Sequence, residues 1–213
     1  MKSQICIASL MLFVILGLAL ASVPAVAGDT LYSNGPVNGY GGAWNISDGS
    51  VVSDSINLNS SRSNVYSIEL GIWMLPGESL LSLDWSITSA PNGGTVYGSG
   101  TAAGQDLSST FLFTNSFGYD VYQITASGLD VRLDAGTYWL NEQKADGTLG
   151  GQTVYWDENS GPSMAYDSTL GTIPSESFTL LGASGTTPEP GSLALFGSGA
   201  LGLAGLLRRR FLG

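Results

Sequence analysis

Histidine is absent from all 213 residues, and the single cysteine, Cys6, stands within the first apolar stretch of the chain. Without histidine there can be no Ser/His/Asp or Cys/His nucleophilic site, no histidine general base and none of the usual zinc or iron ligand sets. Cys6 comes before most of that apolar stretch, the wrong place for a lipid-modified cysteine. The chain beyond it has no thiol, hence no disulfide and no thiolate metal site, and must be stabilised by packing or bound ions. Basic residues are nearly as scarce. Residues 28–187 hold sixteen of the seventeen acids but only Arg62, Arg132 and Lys144 as bases, a net charge of −13. Such a surface repels nucleic acid and anionic lipid, which excludes nucleic acid as a partner and favours solubility and divalent cations.

Long amphipathic helical patterns are missing too, and short runs alternating apolar and polar residues take their place. Over 64–74, Tyr66, Ile68, Leu70, Ile72 and Met74 fall on one face, with Ser67, Glu69, Gly71 and Trp73 on the other. Pro76-Gly77 interrupts, and Leu81, Leu83, Trp85 and Ile87 form the apolar face of a second strand, expected to meet the first as a hairpin. Pro91-Asn92-Gly93-Gly94 closes that unit. Further runs at 30–32, 51–58, 95–101, 109–114, 119–125, 129–133, 137–142, 153–156 and 176–181 are bounded by Gly, Asn, Asp or Pro. Eight to eleven short strands predict an all-β fold, a single β-sandwich over 28–182, of which the jelly roll is one form. Ser33-Asn34-Gly35-Pro36 resembles Asn159-Ser160-Gly161-Pro162, a match two turn tetrapeptides can show by chance.

Both flanks have the composition of processing segments. In residues 1–27, Lys2 precedes an apolar run that ends in Ala25-Val26-Ala27, the layout of a secretory signal peptide cleaved between Ala27 and Gly28 and handled by the Sec export machinery. After a linker at 183–187, Pro188-Glu189-Pro190 is followed by a charge-free run at 191–207 and then by Arg208-Arg209-Arg210. As a helix the 17 residues of that run would reach about 26 Å, just enough for a hydrocarbon core of about 30 Å. The arginines would remain cytoplasmic, leaving 28–182 outside. Ala194, Ser198 and Gly202 recur every fourth residue, a small-residue stripe suited to a neighbouring membrane helix.

Pro-Glu-Pro, a Gly/Ala/Leu-rich helix and an arginine cluster, in that order over 188–213, resemble the PEP-CTERM sorting signal of Gram-negative bacteria. The resemblance implies an inner-membrane-anchored intermediate and processing by an exosortase, a membrane cysteine transpeptidase or protease, in a host that makes exopolysaccharide and biofilm. The processed protein would end in the cell envelope or extracellular matrix. The central region also resembles a recurring extracellular domain type of such proteins, with Tyr32-Ser33-Asn34-Gly35-Pro36 near its start and Tyr155-Trp156-Asp157-Glu158-Asn159 near its end.

Within that region Asp157, Glu158, Asn159 and Asp167 are the candidate oxygen ligands for calcium, at a spacing that fits no defined calcium loop. Among the tryptophans, Trp85 shares an apolar face and belongs in the core. Trp156, beside charged residues, is the candidate for an exposed sugar-stacking face. The expectation is a non-enzymatic structural or interaction protein needing no cofactor, calcium apart. The alternatives are a carbohydrate-binding module of the same matrix and a hydrolase using two carboxylates.

Overall fold

Alternation over 64–74 becomes one 12-residue strand, and the rest of one sheet is arranged around it. The computed structural model describes residues 28–184, apart from 48 and 151–153. The expected leader, with Ala25 and Ala27, and the cassette, with Pro188, Glu189, Pro190 and the arginines at 208–210, lie outside the described residues.

The described residues form fourteen strands in chain order: β1 (Asp29–Ser33), β2 (Ala43–Asn45), β3 (Val51–Leu58), β4 (Ser63–Met74), β5 (Leu80–Ala90), β6 (Gly93–Ala103), β7 (Leu107–Thr114), β8 (Asp120–Ala126), β9 (Val131–Leu133), β10 (Gly136–Gly147), β11 (Tyr155–Asp157), β12 (Ala165–Asp167), β13 (Gly171–Ile173) and β14 (Phe178–Ser184). All pairings are antiparallel. The six-stranded sheet runs β13-β12-β3-β10-β5-β6. In the eight-stranded sheet β4 is central. On one side it pairs with β14 over its first part and with β11 at Ile72 and Trp73, and on the other with β9 and then β8. β1, β2 and β7 complete that sheet. The described domain is thus a two-sheet, all-β structure, as the alternation predicts.

Ile68, Leu70, Ile72, Met74, Ile124, Trp156 and Leu180 of one sheet face Val52, Ile56, Leu83, Trp85, Ile87 and Leu140 of the other, all in one buried cluster. Full burial contributes about 1.5–3 kcal/mol for each large aliphatic side chain. With no disulfide, this core supplies most of the stability.

Three sequence expectations need correction. β4 and β5 do not form a hairpin: the turn after Met74, closed by a hydrogen bond from Glu78 N–H to Leu75 C=O, carries the chain between sheets, and β5 pairs with β6 and β10 instead. The Pro91-Asn92 turn, with Asn92 at φ 57°, makes the hairpin. Tyr66 does not share the Ile68 face, because a bulge opposite Leu181 and Gly182 shifts the alternation and puts Val65 in the core. The body runs past residue 182: Ala183 and Ser184 pair with Asn64 and Ser63, so the linker begins beyond them.

Candidate functional site

β1 and β14 lie side by side, and the residues that follow β11 fold back against the segments at their ends, which brings the two motif segments of the sequence together. The backbone N–H of Asn34 donates to Phe178 C=O at 2.8 Å. Its side-chain amide donates to Glu176 C=O at 2.6 Å, Ser175 Oγ at 2.7 Å and Asp54 Oδ2 at 3.2 Å, while its oxygen accepts from Tyr32 Oη at 3.1 Å. From the other motif, Asn159 Nδ2 donates to Asn34 C=O at 2.8 Å, and Asn159 Oδ1 accepts from Gly161 N–H and Ser175 Oγ. Asn34 is fully buried, so its own bonds close polar groups that have no water to turn to.

Asp157 performs the same service for the loop at 34–42. Its carboxylate accepts from Asn38 N–H and Gly39 N–H at 3.0 Å and from Trp73 Nε1 at 2.6 Å. Burial holds its pKa above the ordinary carboxylate range despite those donors, which pull it down. The tetrapeptides 33–36 and 159–162, whose likeness carried no weight in the sequence, lie against each other. A Cβ on Gly161 would collide with the Asn34 carbonyl, and one on Gly35 would meet Asn159 Nδ2 at 3.1 Å.

Beneath the junction lies a set of buried acids. Asp54 is pushed up to about 6 by burial, which outweighs its bond from Glu176 N–H at 2.6 Å. Glu176 is held well above the usual range, first by burial and then by the charges of Asp54, Glu158 and Asp157. The phenol of Tyr32 is pushed up to about 12 by burial and by Asp54. Further along the core, Glu142 of β10 is completely buried, neither oxygen has a hydrogen-bond partner, and its pKa is raised in the same way.

The residues singled out from sequence fare differently. Trp156 is no exposed platform: it is fully buried, donates through Nε1 to Ser177 C=O at 2.9 Å and packs edge-on against Phe178 at 5.8 Å. Neighbouring charges misled because adjacent strand residues point to opposite faces. Trp156→Ala should therefore cost about 3–5 kcal/mol, measured by urea unfolding. A loss below 1 kcal/mol would contradict its place in the core.

Nor do the four expected calcium ligands converge as a set. Asp157 is occupied by three donors. Asp167 Oδ1 accepts from Thr169 N–H, Thr169 Oγ1 and Leu170 N–H, so it caps its own turn, and Asn159 is tied to Asn34 and Ser175. Among the described residues no three acidic side chains gather closely enough to hold a metal. Gly28, beyond the expected cleavage point, lies against Gly182 of β14.

A surface cleft of about 400 Å³ opens on the outer face of the eight-stranded sheet, lined by residues that include Pro36, Val37, Gly71, Gln123 and Thr179, with Glu69 its one acid. Exposed aromatics occur elsewhere: Phe117, 59% exposed, stacks on Trp73 at 5.7 Å, and Tyr119 lies 6.0 Å from the same indole.

The structure thus defines an all-β domain whose start and end motifs are structural closures, followed within two residues of β14 by a segment of another kind. Residues 186–210 match the family model of the PEP-CTERM protein-sorting motif. The chain therefore bears a PEP-CTERM sorting domain, which marks it as an exported, cell-surface-directed protein processed by an exosortase. No curated protein matches the chain.

Proposed function

We propose that this chain is a non-enzymatic structural or interaction protein of the extracellular matrix, delivered there through an inner-membrane-anchored intermediate. On this reading residues 1–27 direct Sec-dependent export and are removed. The apolar run at 191–207 then holds the protein in the inner membrane with 208–210 inside, and the exosortase acts near Pro188-Glu189-Pro190. The observation that carries the reading is the sorting-motif match beginning at 186, directly after a domain whose last strand ends at Ser184. In support of a role without catalysis, the buried acids are engaged in closing the fold or enclosed in the core, and the cleft offers a single carboxylate where hydrolysis of a polysaccharide needs two facing ones.

Deleting 188–213, or removing the exosortase from the host, is expected to abolish processing. The deletion should release the domain from the membrane, and the host lacking the enzyme should accumulate full-length protein there. Fractionation with mass spectrometry of both termini reads each outcome. Full-length protein in the medium, indifferent to the enzyme, would sink the proposal.

A second reading, recognition of exopolysaccharide, is favoured by the exposed ring of Phe117 on Trp73, the arrangement that stacks on sugar faces. Retention on secreted polysaccharide that Phe117→Ala removes without unfolding would select it.

A further inference from the structure

Glu158 and Glu176 face each other across an isolated antiparallel bridge. The bonds on either side, Asn159 N–H to Ser175 C=O at 2.7 Å and Ser177 N–H to Asp157 C=O at 2.8 Å, make this a non-hydrogen-bonded pair. In that geometry opposite Cα atoms stand about 4.5 Å apart and the side chains approach most closely. Two like charges so placed repel. The pair is worse placed than most, because Glu176 is fully buried and neither of its carboxylate oxygens has a partner, while Asp54 Oδ1 beside it has none either. No lysine or arginine among the described residues bonds to these acids.

Taking up a proton would cancel the charge, yet a neutral carboxyl still carries a donor and an acceptor that need partners. A hard cation removes both difficulties, since it binds carboxylate oxygens directly and turns their repulsion into coordination. Glu158 is partly exposed and gives access from solvent. Its carboxylate lies under Gly41 and Gly42, where a Cβ on Gly42 would stand 2.9 Å from Oε2 and fill the space beside it. The Gly42 carbonyl, which accepts Glu158 N–H at 3.1 Å, keeps a second lone pair.

We propose that Glu158 and Glu176 bind a divalent cation of the calcium class between their carboxylates, with the Gly42 carbonyl and water completing its shell. The site differs from the four ligands suggested by sequence: it keeps Glu158, adds Glu176 from a distant segment, and leaves Asp157, Asn159 and Asp167 to their structural bonds. Two carboxylates place the affinity in the weak range typical of extracellular modules, about 10⁻⁴–10⁻³ M. The cation would lock the segments around Glu158 and Glu176 together beside the Asn34 junction.

The test uses the full chain purified in detergent and stripped with chelator, then titrated with calcium chloride at constant ionic strength. Mass action at about ten times the dissociation constant should raise the melting temperature by about 4 °C. Terbium luminescence, sensitised by energy transfer from the protein's tyrosines and tryptophans, should report the bound ion. Glu158→Gln and Glu176→Gln should each abolish the shift and the luminescence, and Gly42→Ala should weaken both at least fivefold. No shift up to 10 mM calcium, roughly ten times the upper end of that range, or an undiminished shift in the glutamine variants, would overturn the site. Should Glu176→Gln fail to fold, the partly exposed Glu158→Gln decides alone.

Discussion

Replacing Asp157 by alanine is expected to lower the unfolding free energy by about 3–5 kcal/mol, enough to bring the melting temperature down by roughly 10 °C in a domain of this size. The carboxylate takes three donors, Asn38 N–H, Gly39 N–H and the Trp73 indole N–H, and among the described residues it is the acceptor that holds each of them. Each stranded buried donor costs about 1–3 kcal/mol, and the total is reduced because the carboxylate no longer has to be desolvated. Asp157→Asn should lose only about 1–2 kcal/mol, since one oxygen still accepts from Trp73 and Gly39. Urea unfolding followed by tryptophan fluorescence measures both. If alanine cost less than 1 kcal/mol, the loop at 34–42 would be held by something other than Asp157. The same loop walls the surface cleft through Pro36 and Val37, so its loosening should also open that cleft.

The clearest alternation, in β4 and β5, belongs to strands that send one face into the core, and this made the fold class readable. Three elements were not readable, β2, β12 and β13, because three residues such as Ala43-Trp44-Asn45 are too few to show a period of two. Pairing was not readable either. Pro76-Gly77 marks a turn, but nothing local distinguishes a turn within a sheet from one that crosses between two. Tyr66 and Val65 show the same limit, since the bulge that exchanges them is set by the partner strand β14. At the junction, the motifs around Asn34 and Asp157 were visible as separate segments, and only tertiary structure joins residues 125 positions apart. The recurrence of Asn, Ser, Gly and Pro in 33–36 and 159–162 was the one signal of their meeting. Trp156 failed for a physical reason that also applies to Asp157: both are fully buried although adjacent, because one faces the core and the loop at 34–42 covers the other.

Acid should stabilise this domain, and the melting temperature measured in chelator should rise as the pH is lowered from 8.5 to 5. The sign follows from the direction of the shifts. An unfolded carboxyl titrates near pH 4, whereas burial holds folded Asp54 at about 6. The stabilisation from its protonated form is complete below the unfolded value and is lost as the pH rises through about 6, a difference of about 3 kcal/mol for a shift of roughly two units. Glu176 and Glu142 are displaced in the same direction by burial, so their contributions too are lost as the pH rises through their raised values. Self-repulsion of an acidic surface would give the same slope, and Glu142→Met separates the two causes. That side chain is enclosed with neither oxygen bonded, so an apolar residue of similar length loses no hydrogen bond and avoids a buried charge. The variant should be more stable by about 1–3 kcal/mol at pH 8 and little changed at pH 5, flattening the curve. Removing one charge from a body of net charge −13 would alter the general repulsion only slightly, so a large flattening from this one substitution can come only from the local cost of ionising a carboxyl in the core. A melting temperature that climbs with pH, or a Glu142→Met curve parallel to that of the native protein, would show that these acids do not hold their protons in the folded state.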